Sequence, residues 1–346
     1  MAYPQGMNAE RGVWEPLLDA VRRYPSPHNS QPIRVRIVDE LVAHVFYDLD
    51  RGLPAENFGI PFGHVCAGVF LESLAVVAAA EGYEVREDLQ LSEMDFDAVD
   101  RLHPIATVTL VPQEVTAAAV ARRAVFDRRR TNRRPYDSRV VPDADLEVVR
   151  AIAAAGGQDF RWNNDRDVVA HIIEVNQETL FDDLRNDAVH AEILEWLRFS
   201  ERHARTAGDG LSARTMLMPG SALKFAMKSR SLWDAPVIGA LMRWVYVRTM
   251  RGVRQIAWFE GPFAGPSDFL ESGRLFMRSW LELAARGVAL HPLGTVITNP
   301  RSHRRFVEAA GINETGDRMA WMLVRLGYAK EPPAAHRRGL DEMVVP

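Results

Sequence analysis

Two long apolar runs share one pattern of small residues along the chain. The first, residues 67–85, is helical in composition, and Gly82 predicts its end because glycine readily adopts the left-handed conformation found at helix C-termini. The second run, residues 272–290, repeats the spacing. The matched positions are Gly68, Gly82 and the pair Ala79-Ala80 in the first run, and Gly273, Gly287 and the pair Ala284-Ala285 in the second. The pattern predicts two equivalent buried helices.

Segments that flank these runs also correspond. Residues 18–22 (LDAVR) resemble residues 146–150 (LEVVR), and a glycine- or proline-containing break follows each. The predicted strands are residues 33–38 and 106–111 in the first half, and residues 160–162 and 320–324 in the second. The distance along the chain between matching residues is 128 for Leu18 and Leu146 but 205 for Gly68 and Gly273, so it grows by about 77 residues. We therefore expect an insertion in the second half, between Asp165 and Asp268.

This repeat predicts an α+β fold of two related halves, residues 1–117 and 118–346, packed through their apolar helices as a homodimer would be. The few identities also fit a chance likeness between two helix-rich halves. A helical lid insertion is predicted at about residues 181–262. Within it, residues 211–250 are rich in Met, Arg, Trp and Leu, which is typical of either a helix-packing surface or a lid over a ligand pocket.

The charge and cysteine content narrow the range of functions. The formal net charge of −4 gives no reason to expect a nucleic acid or an anionic membrane as a partner. Cys66 is the single cysteine, so no internal disulfide forms, and its apolar surroundings predict a buried, inert thiol. The apolar run 65–80 contains Glu72 and reads as a buried helix. Residues 1–14 lack a signal-peptide pattern, so we expect a cytoplasmic protein.

The first polar cluster is the loop 24–32, YPSPHNSQP. Its prolines stiffen the backbone, and Ser26, Asn29 and Gln31 offer hydrogen-bond donors and acceptors that suit the polar edge of a planar heterocycle. An ordinary turn with a helix cap explains the same residue types. The loop alone leaves both interpretations open.

The second cluster is the arginine segment, residues 128–134 (RRRTNRR), which contains five arginines among seven residues. Guanidinium groups and a hydroxyl match the oxygens of a phosphate. A solvated basic turn and a nucleic-acid patch are the alternatives, and the acidic balance of the chain argues against the patch.

The third cluster is divided between residues 287–295 (GVALHPLGT), after the second long run, and His336-Arg337-Arg338 on a proline-led tail. Each part alone is more typical of a structural or exposed segment than of a site. Motifs of other enzyme classes are missing from the sequence, since it has no GxGxxG after a strand, no GxxxxGK[ST], no CxxC and no HExxH.

Together, and in this order, the clusters resemble the nitroreductase family of FMN proteins, most of all the Acg-type subgroup in which two nitroreductase-like halves are fused. Residues 25–32 are similar to its PSxxNSQPW loop, and residues 129–133 to its RxSxR phosphate motif. Residues 287–295 resemble the segment that passes the flavin ring, and Gly327-Tyr328 with Arg337-Arg338 resemble the closing strand and phosphate-binding tail.

The resemblance implies a nitroreductase-like sandwich with one FMN between the halves. The implied contacts with the FMN ring, ribityl chain and phosphate are Pro25, Ser26, Asn29, Gln31, Arg129, Arg130, Thr131, Arg133, Pro292, Leu293, Gly294, Thr295, Arg337 and Arg338. The second half has only residues 155–159 (AGGQD) where the loop would be, so a single site per chain is expected. Pro27, Ile33 and Gly294 depart from the family pattern and bear on the choice of substrate.

Three functions are carried forward. The first is an FMN-dependent oxidoreductase that takes hydride from NAD(P)H or another donor and passes it through flavin N5 to a nitro, quinone or other small acceptor; no side-chain catalyst and no metal are required. The second is a protein that stores or sequesters FMN with little or no turnover. The third is a nucleic-acid-binding protein that uses residues 122–134. The internal pseudo-dimer predicts a monomeric chain.

Overall fold

The computed structural model describes residues 12–229, 240, 244 and 246–346. Most of residues 1–14, and part of the expected lid at residues 211–250, lie outside the described residues. The helices of the described part are α1 (Trp14–Val21), α2 (Pro54–Asn57), α3 (Phe62–Ala80), α4 (Ala117–Arg128), α5 (Asp143–Ala155), α6 (Arg166–Asp183), α7 (Asp187–Trp196), α8 (Glu201–Ala207), α9 (Gly220–Lys228), α10 (Pro266–Ala285), α11 (Gly294–Thr298) and α12 (Pro300–Ala310).

Two four-stranded antiparallel sheets carry the fold. The strands are β1 (Ile33–Ile37), β2 (Val42–Asp48), β3 (Tyr83–Leu89), β4 (Leu102–Pro112), β5 (Asp159–Asn163), β6 (Leu197–Arg198), β7 (Leu211–Ser212), β8 (Gln255–Pro262), β9 (Ala289–Pro292) and β10 (Arg318–Gly327). The first sheet has the order β1-β2-β4-β3 and the second the order β5-β8-β10-β9. All pairs within both sheets are antiparallel. The predicted α+β class is confirmed.

The two sheets have the same topology. In each, a helix precedes the first strand (α1 or α5), and a long apolar helix lies between the second and third strands (α3 or α10). The four predicted strands correspond to β1, β4, β5 and β10. Each lies within the observed strand, except that Val38 falls just after the end of β1. The first long helix ends at Ala80, earlier than the predicted run, because Val85 belongs to β3, which begins directly after the turn at Gly82.

The long helices α3 and α10 pack directly against each other through their backbones. A Cβ atom added to Gly68 would lie 1.9 Å from the carbonyl oxygen of Leu270, and one added to Gly273 would lie 2.0 Å from the carbonyl oxygen of Val65. The contact is therefore reciprocal, since each glycine faces the residue three positions before the other glycine. A two-fold related interface has this self-complementary form.

Helix α3 forms much of the core. It is the single described helix long and apolar enough to cross a membrane, and 89% of its most apolar stretch is buried inside the protein. Sixteen of its residues, including Cys66, are buried. Burial raises the pKa of the Cys66 thiol, which agrees with the inert thiol predicted from the sequence.

The second half differs from the first mainly between its first two strands. Residues 38–41 join β1 to β2, whereas residues 164–254 separate β5 from β8 and contain α6 to α9. The expected lid range, residues 181–262, includes β8, yet β8 is an inner strand of the second sheet. The insertion therefore ends before Gln255. Residues 190–204 are helical in composition but belong to two helices, α7 and α8, because the chain forms the short strand β6 between them.

The α3–α10 contact predicts a strong effect of a single methyl group. Gly68→Ala and Gly273→Ala should each lower the free energy of unfolding by about 2 kcal/mol, because the clash is with a backbone carbonyl and outweighs the better helix propensity of alanine. Gly63→Ala in the same helix is the matched control, since its Cβ would meet only the flexible end of Met94. Urea denaturation measures both, and equal stability of all three variants would contradict the packing.

A histidine pair predicts loss of stability in mild acid. The rings of His64 and His103 lie 5.9 Å apart, and His64 Nε2 donates to the carbonyl of Ser92 at 2.8 Å. Burial lowers the pKa of both below the ordinary 6.5, and for His103 the neighbouring His64 lowers it further. The unfolded chain therefore binds more protons as the pH falls below about 6.5, so stability present at neutral pH is lost.

Melting temperatures measured between about pH 7.5 and pH 5 test this. The variant His103→Leu should show a flatter dependence on pH than the unmodified chain, whereas His171→Gln, on α6, should not. Identical slopes for His103→Leu and the unmodified chain would show that the pair does not control acid stability.

Candidate functional site

The loop between α1 and β1 has an unusual backbone. His28, Asn29 and Gln31 have φ values of 48°, 56° and 53°, in the left-handed region that residues other than glycine rarely occupy. Such positions cost on the order of 1–3 kcal/mol each and persist where surrounding contacts fix them. Strain of this kind clusters at functional sites, so the loop is a candidate on its conformation alone.

A turn of the insertion, residues 208–210, holds this loop in place. Gly210 N donates to the carbonyl of Asn29 at 3.1 Å, and Asn29 Nδ2 donates back to the carbonyl of Gly210 at 3.1 Å. Gln31 Nε2 donates to the carbonyl of Gly208 at 3.0 Å. Arg51 completes the attachment, because it donates to the carbonyl of Ser30 at 2.6 Å and pairs with Asp209. The insertion therefore braces the loop directly.

A cleft with a cavity volume of about 210 Å³ opens beside the loop and is continuous with solvent. Its walls come from the loop, the arginine segment, the insertion and the C-terminal tail. The lining residues are Arg23, Pro25, Ser26, His28, Asn29, Arg129, Arg130, Thr131, Arg133, Gly210, Leu211, Thr215, Pro333, Ala334, Ala335 and Arg337. Four segments far apart in sequence thus meet at one cleft.

The arginine segment is fixed along the edge of β9. Thr131 forms an isolated bridge with Leu290, and Asn132 N donates to the carbonyl of Leu290 at 3.0 Å. Asn132 Nδ2 donates to the carbonyl of Lys330 at 3.0 Å, which joins the segment to the start of the tail. Helix α4 ends at Arg128, so the next residues leave the helix and direct Arg129, Arg130 and Arg133 toward the cleft.

Four arginines of the cleft lack a negative partner. In the part of the chain that the structure describes, no carboxylate pairs with Arg129, Arg130, Arg133 or Arg337. Burial lowers the pKa of Arg129 to about 9, and the charges of Arg337 and Arg130 contribute. Burial also lowers the pKa of Arg133 to about 10 and that of Arg337 to about 10. The cleft is strongly positive.

Two of these arginines are held side by side. Arg129 and Arg337 both donate to the carbonyl of Arg23, each at 3.3 Å, and the Arg129 guanidinium lies 4.3 Å from the ring centre of Trp280 on α10. Arg337 also donates to Oδ1 of Asn29. The Nε atoms of both arginines are buried without a hydrogen-bond partner among the described residues. Buried donors without acceptors are costly, so an anion in the cleft would stabilise the arrangement.

Some predicted site residues lie elsewhere. Arg338 pairs with Glu342 at 2.6 Å and, with Gln31, borders a separate small cavity. The Gln31 amide is used internally, since its Oε1 accepts from Arg338 N at 3.1 Å while its Nε2 donates to Gly208. The turn formed by Pro292, Leu293, Gly294 and Thr295 does not line the cleft. Of the fourteen predicted residues, the structure gathers eight at the cleft: Pro25, Ser26, Asn29, Arg129, Arg130, Thr131, Arg133 and Arg337.

Several wall residues were not singled out from the sequence. Gly210, Leu211 and Thr215 come from the insertion. Leu211 and Thr215 lie in the segment 211–250 for which a lid was one of two interpretations, but no local pattern shows that the turn 208–210 would dock on the loop. Behind the cleft, the fully buried Arg325 donates to His291 Nδ1 at 3.1 Å and to the carbonyls of Thr249 and Asn132. An arginine within the apolar strand β10 was the available signal. Burial, with the charges of Arg325 and Arg133, lowers the pKa of His291, so this ring is neutral at pH 7.

In the second half, the residue that corresponds to Gln31 is packed into the core. Gln158 precedes β5 much as Gln31 precedes β1. Its amide is consumed by the core, because Nε2 donates to the carbonyl of Pro262 at 3.1 Å and Oε1 accepts from Trp321 Nε1 at 2.9 Å. Phe263 stacks on Trp321 with ring centres 5.8 Å apart, and these aromatic rings occupy the space.

Comparison with known proteins gives two sequence matches. Two proteins of Mycobacterium tuberculosis, from strains CDC 1551 and H37Rv, carry the name "Putative NAD(P)H nitroreductase" and are each 30% identical to this chain over 189 residues. The match covers 54% of this chain and 50% of each relative, so it spans about half their length. This chain is similar in sequence to named nitroreductases. No protein-family model matches it.

Solved structures with some likeness are also nitroreductases. One from Bacteroides fragilis, with bound FMN, has a TM-score of 0.36 and 11% identity, and covers 62% of this chain and 92% of its own. NfnB from Mycobacterium smegmatis, an FMN-dependent enzyme in complex with NADPH, has a TM-score of 0.40 and 17% identity, and covers 65% of this chain and 97% of its own.

The docking of the insertion on the loop predicts a position-specific glycine effect. In Gly210→Ala the added Cβ would lie 2.4 Å from the carbonyl of Trp196, so the turn must move away from Asn29. Gly287→Ala is the control, because that glycine has a similar φ, 74° against 72°, but nothing within 4 Å of the new atom. Hydrogen exchange of residues 24–32 should accelerate only in Gly210→Ala. Equal protection in both variants would contradict the docking.

Proposed function

We propose that this chain binds one FMN in the cleft and acts as an FMN-dependent oxidoreductase. The observation that carries the proposal is the set of four arginines without carboxylate partners in the described structure, facing one cleft beside a strained polar loop. The similarity to named NAD(P)H nitroreductases supports the same activity. FMN would supply the hydride chemistry, while the chain binds and orients it.

The residues present fit a phosphate monoester. A phosphate brings close to two negative charges into a cleft where four guanidinium groups pair with no carboxylate of the described residues. Arg133 makes no hydrogen bond to any described residue, so its whole fork is available, and Thr131 adds a hydroxyl. Arg129 and Arg337, placed side by side by the carbonyl of Arg23, would hold adjacent oxygens.

The polar chain of the cofactor would run along the strained loop. Ser26 Oγ accepts from Gln31 N at 2.9 Å, which leaves the Ser26 hydroxyl proton to donate to a ligand. Asn29 would support the cofactor indirectly, because its side-chain amide already forms hydrogen bonds with Gly210, His336 and Arg337. Contact of the flavin ring with Pro292–Thr295, which lie outside the cleft walls, stays a prediction from the family resemblance.

We further propose that the chain is an internal pseudo-dimer of the Acg type. The shared strand order of the two sheets and the reciprocal glycine contact support this. In this arrangement the loop comes from residues 1–117, and the arginine segment and tail come from residues 118–346. The packed aromatic core around Gln158 supports one site per chain.

One observation favours an FMN-storage protein as the second candidate. The insertion is bonded to the loop at Gly208 and Gly210, Asp209 is joined to it through Arg51, and residues of the insertion form one wall of the cleft. A wall of this kind restricts access to a bound flavin. Whether NAD(P)H can reach and reduce the bound flavin therefore distinguishes an oxidoreductase from a storage protein.

Flavin binding through the arginines is tested with Arg133→Gln. Losing one charge-assisted contact to phosphate should weaken FMN binding about 10- to 100-fold, since such bonds contribute roughly 1.5–3 kcal/mol. Arg139→Gln removes an exposed arginine paired with Asp137, outside the cleft, and should bind FMN normally. Fluorescence titration gives both affinities. No FMN binding by the unmodified chain, or equal binding by Arg133→Gln, would overturn the phosphate site.

Turnover is tested by adding NADPH to the FMN-loaded chain without oxygen. An oxidoreductase loses the absorbance of oxidised flavin and regains it when a nitroarene or quinone is added. A storage protein keeps its oxidised spectrum with NADPH and NADH, although dithionite still reduces it. The second result would reject the nicotinamide-dependent enzyme.

A further inference from the structure

The basic residues of the chain are concentrated in the last part of the insertion. Residues 211–254 contain eight arginines and lysines but one acidic residue, Asp234, which gives this stretch a formal net charge of +7. Because the total is −4, the rest of the chain carries −11. The total charge therefore conceals a strong separation of charge, and a separation of this kind is typical of a surface that meets an anionic partner.

Helix α9 presents one exposed face of this stretch. Its residues Leu223 and Met227 are buried in a small core that belongs to the insertion. Lys224, Phe225 and Lys228 are exposed on the opposite side of the helix, where Phe225 keeps 56% of its surface accessible. No carboxylate of the described residues pairs with either lysine. The helix thus holds an aromatic ring in water between two unpaired cations.

A second exposed group lies near the end of the insertion. Trp244 is 55% exposed and Val247 is 39% exposed. Arg248 is also exposed, with its guanidinium 4.7 Å from the ring centre of Trp244, and pairs with no carboxylate in the described part of the chain. Cationic and apolar side chains are therefore combined here as they are on α9. The basic-aromatic surface is defined as Lys224, Phe225, Lys228, Trp244, Val247 and Arg248.

This combination of side chains matches the interface of an anionic phospholipid bilayer. Lysine and arginine are attracted to the negative headgroups, while tryptophan and phenylalanine rings lie between the headgroups and the acyl chains. A nucleic acid would attract the same cations, but Val247 and Phe225 would gain little from contact with its phosphate backbone. The −11 carried by the rest of the chain repels an anionic membrane, so this surface is the one that turns toward it.

The basic stretch is joined to the cleft at both of its ends. At its start, Leu211 and Thr215 line the cleft. At its end, the carbonyl of Thr249 accepts from Arg325 Nη1 at 2.7 Å, and Arg325 also donates to the carbonyl of Asn132 in the arginine segment. The part of the chain that carries the basic-aromatic surface therefore also forms a wall of the cleft.

We propose that the basic-aromatic surface docks this chain on an anionic phospholipid bilayer. The contact is peripheral and reversible. Its cations bind the headgroups, while Phe225 and Trp244 enter the interface. The inference concerns the surface alone and does not rest on FMN binding, so the failure of either proposal leaves the other standing.

Co-sedimentation of the full chain with lipid vesicles tests the docking. The chain should bind vesicles of phosphatidylserine and phosphatidylcholine mixed at about 3:7 but not phosphatidylcholine alone, and about 0.5 M NaCl should release it. Lys224→Gln/Lys228→Gln should bind the anionic vesicles about 10- to 30-fold more weakly, because each basic residue near such a surface changes partitioning about five-fold. Arg166→Gln/Arg304→Gln, which removes two exposed arginines outside residues 211–254, should bind as the unmodified chain does.

Entry of the aromatic rings is tested separately from charge. Phe225→Ser keeps every cation and should weaken binding about 10-fold, because the ring no longer leaves water. Vesicles with brominated acyl chains should quench part of the tryptophan fluorescence of the bound chain. The chain has eight tryptophans, so Trp244→Leu identifies the signal, and this part of the quenching should be lost in that variant. Because both side chains are exposed, the circular dichroism of the variants should be unchanged.

Several results would overturn the proposal. Absence of binding to anionic vesicles, equal binding by Lys224→Gln/Lys228→Gln, or quenching that persists in Trp244→Leu would each do so. Tighter binding to duplex DNA in the same buffer would identify a nucleic-acid surface instead. A dimer formed by the unmodified chain but not by Phe225→Ser, without vesicle binding, would identify a second copy of the chain as the occupant.

Discussion

The backbone contact between α3 and α10 is the constraint on which the site depends. Gly68 and Gly273 allow the two helices to approach until carbonyl oxygens occupy the space of side chains. This close approach fixes the two sheets relative to each other. It also places Trp280 of α10 beneath Arg129, which follows α4, so the helical core supports the electrostatics of the cleft. A looser interface would separate the first-half loop from the second-half arginines.

The tail reinforces the same relation between halves. After β10 the chain crosses to the first sheet, where Val35 N donates to the carbonyl of Met343 and Val345 N to the carbonyl of Val35, both at 2.9 Å. Arg337 reaches the cleft on this path. The cleft thus brings together two energetically unfavourable features, namely neighbouring like charges and residues in the left-handed region. The stability of a large core offsets their cost. Proteins commonly hold such strain at functional sites, where a ligand relieves it.

Much of the fold could be predicted from the sequence because it follows from periodicity. The apolar helices, most strands and the equivalence of Gly68 with Gly273 are encoded locally. The boundary of the insertion was wrong at its C-terminal end because β8 is buried on both faces and resembles any apolar run. The break between α7 and α8 is likewise not visible in the sequence, since the two-residue strand β6 depends on pairing with β7, a contact that no local pattern encodes.

The parts of the candidate site that follow from local residue composition could be predicted from the sequence. The parts that depend on how distant segments pack together could not. The arginine segment was found from composition, yet its lack of carboxylate partners is a property of the folded chain. Gln31 and Gln158 show the limit most clearly. The same residue type stands before the first strand of each half, but Gln31 anchors the insertion at Gly208, whereas Gln158 binds Trp321 within the core. Whether such a glutamine anchors a neighbouring segment or is enclosed in the core is decided by the residues that the fold packs against it. In this chain the insertion packs against Gln31 and not against Gln158, and the composition around the two glutamines does not encode that difference.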